Sequence, residues 1–246
     1  MRWLIPVLTG AWGILKWSQE REQVHKRDRE IQAALYFNPF LSACEDLQSR
    51  IYSVLELDGI RSLRKRYPDE RYAEETVYLI VRFFGWLATV MRYGPYSQDP
   101  EMIRLTEAVR SAFSSSKFPI GPFNFLRPEQ KALGKLVMTR FKGQYGIELD
   151  TISVYRFERR LKSPPLAESQ SIQQSIDALK RAKSSRSLQG RLRLAEVQNR
   201  LVDLLTYEEA RAGIRFFPGK RLKCTLEKAL PEKAEVLGIP APVPQS

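Results

Sequence analysis

Between Thr76 and Met91 the sequence is apolar on nearly every side of a helix: Val77, Tyr78, Leu79, Ile80, Val81, Phe83, Phe84, Trp86, Leu87, Val90 and Met91, with only Arg82 interrupting. A helix without a polar face has to be wrapped in protein or lipid. An arginine near the middle of a membrane span costs ~2.5–3.5 kcal/mol even on lenient insertion scales. The stretch therefore predicts the buried central helix of a bundle. Asp69 is placed to cap it, with Glu70, Glu74 and Glu75 near its positive end.

The helices that would surround it are legible as stripes. Phe40, Cys44, Leu47, Ile51, Val54 and Leu55 recur at helical spacing between Pro39 and Leu57. Asn38-Pro39 predicts a helix end before that stripe, because the residue preceding proline avoids the α region. Asp58-Gly59 breaks it, and Arg61, Arg64, Lys65 and Arg66 read as a basic connector. Asp99-Pro100-Glu101 is a start signal for an amphipathic helix as far as Ser114. The segment from Ser114 to Arg127 has too much proline and glycine for a helix and too many aromatics for free coil. It predicts an ordered loop packed on the bundle, with a groove or a short edge strand near Phe123–Leu126. Pro128-Glu129 opens a helix through Leu133, Leu136, Val137 and Phe141, ended by Gly143 and Gly146. Asp150 is a candidate cap for another as far as Leu161, although Ile152 and Val154 also alternate like a strand. Ile172, Ile176 and Leu179 mark a helix after Ser163-Pro164-Pro165. Leu194, Val197, Leu201, Leu204 and Leu205 mark a long last one, with Gly213 as its left-handed stop.

Ahead of all this lies a leader. Trp3, Leu4, Ile5, Val7, Leu8, Trp12, Ile14, Leu15 and Trp17 make an uncharged run from Trp3 to Leu15, with tryptophans where an aromatic belt would sit. It is a little shorter than the ~20 residues a bilayer core takes, and Arg2 and Lys16 can extend it by snorkelling. A transmembrane anchor is the leading expectation. A signal peptide and a buried or interfacial helix are the alternatives. Lys16, Arg21, Lys26, Arg27 and Arg29 follow within about 15 residues, which predicts a plasma (inner) membrane protein, single-pass, with its bulk cytoplasmic. Acids interleave with these bases as on a solvated helix face continuing toward Tyr36.

The net charge of +12 is uneven: residues 151–246 carry 18 bases against 10 acids, 1–67 carry 11 against 8, and 68–150 carry 11 against 10. Lys180, Arg181, Lys183, Arg186, Arg191 and Arg193 form a run without an acid, the candidate surface for anionic lipid. Arg156–Lys162 joins it in the alternative reading, a soluble nucleic-acid-binding module with residues 3–17 as core. Parts for familiar catalysis are missing. His25 is the single histidine, Cys44 and Cys224 stand far apart, and no phosphate loop or dinucleotide turn occurs. Glu45-Asp46, Glu74-Glu75 and Glu208-Glu209 are neighbours that cannot face each other on a helix, so ion pairing or capping suits them better than catalysis. No cofactor or metal is expected, and no catalytic residue can be named.

The stretches AEVQNRLVDLL (195–205) and NPFLSACEDLQSRIY (38–52) resemble a group of bacterial proteins with one N-terminal membrane helix, a charged helix and a helical cytoplasmic body. That resemblance implies architecture and supplies no site residues. The expected organisation is all-α: anchor 1–17, charged juxtamembrane helix 18–37, helical core 38–162, C-terminal hairpin 163–230 packing on the core, and a proline-rich tail 231–246. Counting the periodic segments gives a cytoplasmic bundle of about six to eight helices. The expected function is a membrane-anchored adaptor or scaffold that contacts an anionic leaflet and an unknown protein partner.

Overall fold

A computed structural model describes residues 27–28, 31–57, 59–67, 70–93, 99–213 and 221–224. The leader, His25 and the tail beyond 230 lie outside the described residues. The rest is mostly helical, with eight α-helices and one two-stranded sheet. No helix among the described residues is long and apolar enough to cross a membrane.

Helix α1 (Asn38–Glu56) does not begin afresh at Pro39. A π-helical turn, Ala33–Phe37, runs into it, with the Asn38 N–H donating to the Ala33 carbonyl five residues back. The wider turn makes room just ahead of the proline ring, which would clash with the carbonyls of a regular turn. The break expected at Asn38-Pro39 is thus replaced by continuous helix. After Leu57 the basic stretch is no connector either: it forms α2 (Gly59–Arg66), anchored by buried Ile60.

Helix α3 (Arg71–Tyr93) is the central helix that its composition requires. Tyr72, Val77, Ile80, Val81, Phe83, Phe84, Trp86 and Val90 are all buried, and Arg82 escapes to the rim, where it pairs with Asp46. It runs antiparallel to α1: Tyr36 stacks on Tyr93 at 5.7 Å near one end, and Arg50 meets Glu75 at 3.2 Å toward the other. Helix α4 (Pro100–Ser114) starts at Asp99, whose carboxylate accepts from the Glu101 and Met102 N–H groups. The following loop sends Phe123 and Phe125 into the core, where Phe125 sits edge-on to Phe84 and Phe113. Its aromatics fill space within the bundle, and no strand forms at 123–126.

Helix α5 (Arg127–Val137) crosses α3 at a glycine contact. A Cβ on Gly134 would lie 2.6 Å from the Phe84 carbonyl carbon and 2.7 Å from the Gly85 nitrogen. The helix stops before Phe141, earlier than the leucine stripe suggests. Strand β1 (Met138–Gly143) turns through Gln144 and Tyr145 into β2 (Gly146–Thr151), with Gly143 paired to Gly146. The two glycines are therefore the shoulders of a hairpin, and not helix stops. Helix α6 (Val154–Arg160) is capped by Ser153, and not by Asp150.

Helix α7 (Gln170–Arg181) is capped by Ser169 and packs on α3; α8 (Arg191–Ala212) lies against α1 and α4 and ends at Gly213 with φ +64°. One continuous core runs from Phe40 to Leu205, so Ser163-Pro164-Pro165 separates no hydrophobic cores. Residues Arg221–Cys224 return over α1 and α8. Arg221 bridges Glu45 at 2.6 Å and Glu209 at 2.7 Å, while Gln198 and Asn199 bond the backbone of Leu222 and Cys224.

Candidate anion-binding end of the bundle

The last turn of α7 leaves carbonyls without intrahelical donors. Tyr72 donates to the Leu179 carbonyl at 2.8 Å, and Arg64 reaches the Lys180 and Ala182 carbonyls at 3.2 and 3.1 Å. These bonds hold the C-terminal ends of α2 and α7 together beside the first turn of α3. Helix α6 arrives at the same place, because Arg71 pairs with Glu158 at 3.6 Å and its guanidinium lies over the Tyr155 ring at 5.9 Å.

Three basic segments far apart in sequence thus converge on one end of the bundle. Helix α2 brings Arg61, Arg64, Lys65 and Arg66; α6 brings Arg156, Arg159 and Arg160; the end of α7 brings Lys180, Arg181 and Lys183. The acids there are already engaged: Glu70 with Arg64, Glu74 with Lys180, Glu158 with Arg71 and Asp177 with Arg181. Exposed Lys65, Arg66, Arg156 and Arg159 have no acidic partner among the described residues.

Arg156, Arg159, Arg160 and Ser163 also line a cavity of about 530 Å³. Arg160 is steadied by donating to the Leu136 carbonyl. A second cavity, of about 560 Å³, lies between α4 and α8. Its charges cancel: Arg104 pairs with Glu101, Arg200 with Glu196 and Asp203, and Lys223 with Asp203. Of these two cavities, the α6 one is left with charge uncompensated among the described residues.

The run Lys180–Arg193 does not act as a unit. Arg181, Lys183 and Arg186 are exposed, Lys180 is half-buried against Glu74, and Arg191 donates to the Arg186 carbonyl. Arg193 is only 2 % exposed and cannot meet a surface. Its guanidinium donates to the carbonyls of Ala112, Phe113, Ser115, Phe118 and Pro119 and lies 5.5 Å over the Phe118 ring. Burial pushes its pKa down, since no carboxylate shares the site. It is an internal cap for the end of α4. The leader residues Trp3, Leu4, Ile5, Val7, Leu8, Trp12, Ile14, Leu15 and Trp17 lie outside the described residues.

The paired acids serve as ion-pair partners: Glu45 to Arg221, Asp46 to Arg82, Glu74 to Lys180, Glu75 to Arg50, Glu208 to Arg211 and Glu209 to Arg221. Cys44 and Cys224 are buried free thiols. Burial raises both, Cys224 to about 12. Among the described residues no group of His, Cys, Asp or Glu could hold a metal ion. Compared with known protein families, characterised proteins and solved structures, the chain matches none.

Proposed function

We propose that this chain is a tethered helical adaptor, held to a membrane by its N-terminal leader, that binds nucleic acid through the basic end of its bundle. The observation that carries the reading is the separation of that end from the start of α1. Tyr36 stacks on Tyr93 at the C-terminal end of α3, whereas the basic residues gather at its N-terminal end. Helix α3 has 23 residues, so at 1.5 Å per residue the two ends stand roughly 34 Å apart. Charges act over ~8 Å at physiological ionic strength. A leaflet lying at the start of α1 would not feel a basic cluster at that distance, which leaves the cluster to soluble polyanions. Arginine predominates in it, and the guanidinium fork suits phosphate oxygens better than an ammonium does.

The test uses the full chain in neutral-lipid nanodiscs with fluorescent duplex and single-stranded oligonucleotides. Binding should weaken steeply with salt, with a logarithmic slope of about −3 to −5 for roughly four to six phosphate contacts. Arg66→Glu and Arg159→Glu should each weaken it. Absence of binding at low salt refutes the nucleic-acid reading. Salt-dependent recruitment to anionic vesicles after deletion of residues 1–17, lost in those same variants, would favour the leaflet instead. Fractionation of the full chain and the 1–17 deletion tests the tether, since only the former should pellet with membranes.

A further inference from the structure

Resting on the nucleic-acid reading, we infer that the cavity lined by Arg156, Arg159, Arg160 and Ser163 is a pocket for a terminal phosphate, so that the protein prefers phosphorylated strand ends. Positions 156, 159 and 160 are three and four residues apart and share one face of α6. Three guanidinia on one face repel one another, and among the described residues no carboxylate pairs with Arg156 or Arg159, the neighbouring Glu158 being paired with Arg71. The negative end of the short helix offsets only a fraction of this charge.

The chemistry of the lining selects the ligand. Among the described residues, three arginine forks and one hydroxyl line this open depression. What they fit is a compact group with several anionic oxygens. A phosphate monoester carries about −1.5 to −2 at neutral pH and three free oxygens. A phosphodiester within a strand carries a single charge and two free oxygens, with a sugar on each side. The monoester therefore answers the three cations more completely. Arg160, fixed through the Leu136 carbonyl, would set the position of the phosphate, and Arg156 and Arg159 would close on it.

The experiment compares oligonucleotides of one sequence with 5′-phosphate, 3′-phosphate or hydroxyl ends, bound to the full chain in neutral-lipid nanodiscs. At least one phosphorylated end should bind about tenfold more tightly than the hydroxyl-ended strand. The double variant Arg156→Gln/Arg159→Gln should abolish that preference while leaving part of the hydroxyl-ended binding, because α2 and α7 remain. Arg159→Lys, which keeps the charge but loses the fork, should fall between. Circular dichroism checks that each variant is folded. Equal affinity for all three strands overturns the pocket and leaves the nucleic-acid reading standing. A preference that survives in the double variant also overturns it. Failure to bind any strand removes both.

Discussion

Arg193 offers a sharp test of whether a charge in a basic run serves the surface or the core. Replacing it with Met keeps much of the aliphatic stem but removes the donor of five carbonyl bonds. Those of Ala112 and Phe113, at the end of α4, lie in buried surroundings, whereas the other three are partly reached by water. Bonds from a charged donor are worth ~1.5–3 kcal/mol each, and a buried carbonyl left without a donor costs ~1–3 kcal/mol. Against this, the substitution relieves the desolvation of a guanidinium that has no carboxylate partner, the burial that lowers its pKa. Two buried acceptors less that relief give a net loss of about 3 kcal/mol, a large share of the ~5–15 kcal/mol that holds a typical domain together. Arg193→Lys keeps a charge but has three donors for five acceptors, and should lose about half as much. Urea unfolding followed by far-UV circular dichroism measures both. A loss below ~1 kcal/mol for the methionine variant, or none for either, would refute the account of Arg193 as the cap of α4. Weakened polyanion binding at unchanged stability would return it to the surface.

Three further outcomes are expected. Gly134→Ala should destabilise by ~1–3 kcal/mol despite alanine's helix preference, because the methyl would meet Phe84 backbone at 2.6 Å; the thermal midpoint should fall by several degrees. The Asp99 carboxyl is held below the usual range first by the Met102 N–H, and also by Tyr207 and Arg211. Its contribution is complete above the unfolded carboxylate pKa near 4 and is lost as pH falls through its lower folded value, so Asp99→Asn should flatten the fall in urea midpoint below pH 4. Cys44 and Cys224, both buried with raised pKa values, should resist a thiol reagent such as DTNB in native buffer and react only after unfolding; prompt labelling of Cys224 would show that Arg221–Cys224 lifts off.

The elements easiest to read from the sequence were those whose signal is strong and local. The apolar run 76–91 had to be central, Asp99-Pro100 had to open a helix, and Gly213 had to end one, and all three did. The hairpin at Met138–Thr151 was hidden because Leu133, Leu136, Val137 and Phe141 continue a helical stripe past the true end of α5. Only the alternation of Thr139, Phe141 and their neighbours, with glycines flanking Gln144-Tyr145, marked it. The basic stretch 61–66 carries few apolar residues, so its helix depends on burial of Ile60 and on Arg64 reaching α7. The candidate site was legible only in pieces. Each basic run could be seen, but their meeting is set by contacts more than a hundred residues apart in sequence, such as Tyr72 to Leu179. Arg193 shows the converse: identical in sequence character to its exposed neighbours, it is drawn inside by carbonyls that no local pattern announces.

The bridge from Arg221 to Glu45 joins positions 176 residues apart. During synthesis α1 must therefore wait for nearly the whole body before its last partners exist, with its face toward α8 uncovered until then. Such delayed closure favours slow folding and leaves a greasy face open on the nascent chain. A polypeptide that stalls after α7 should be captured by chaperones or aggregate, even though most of its helices have already emerged.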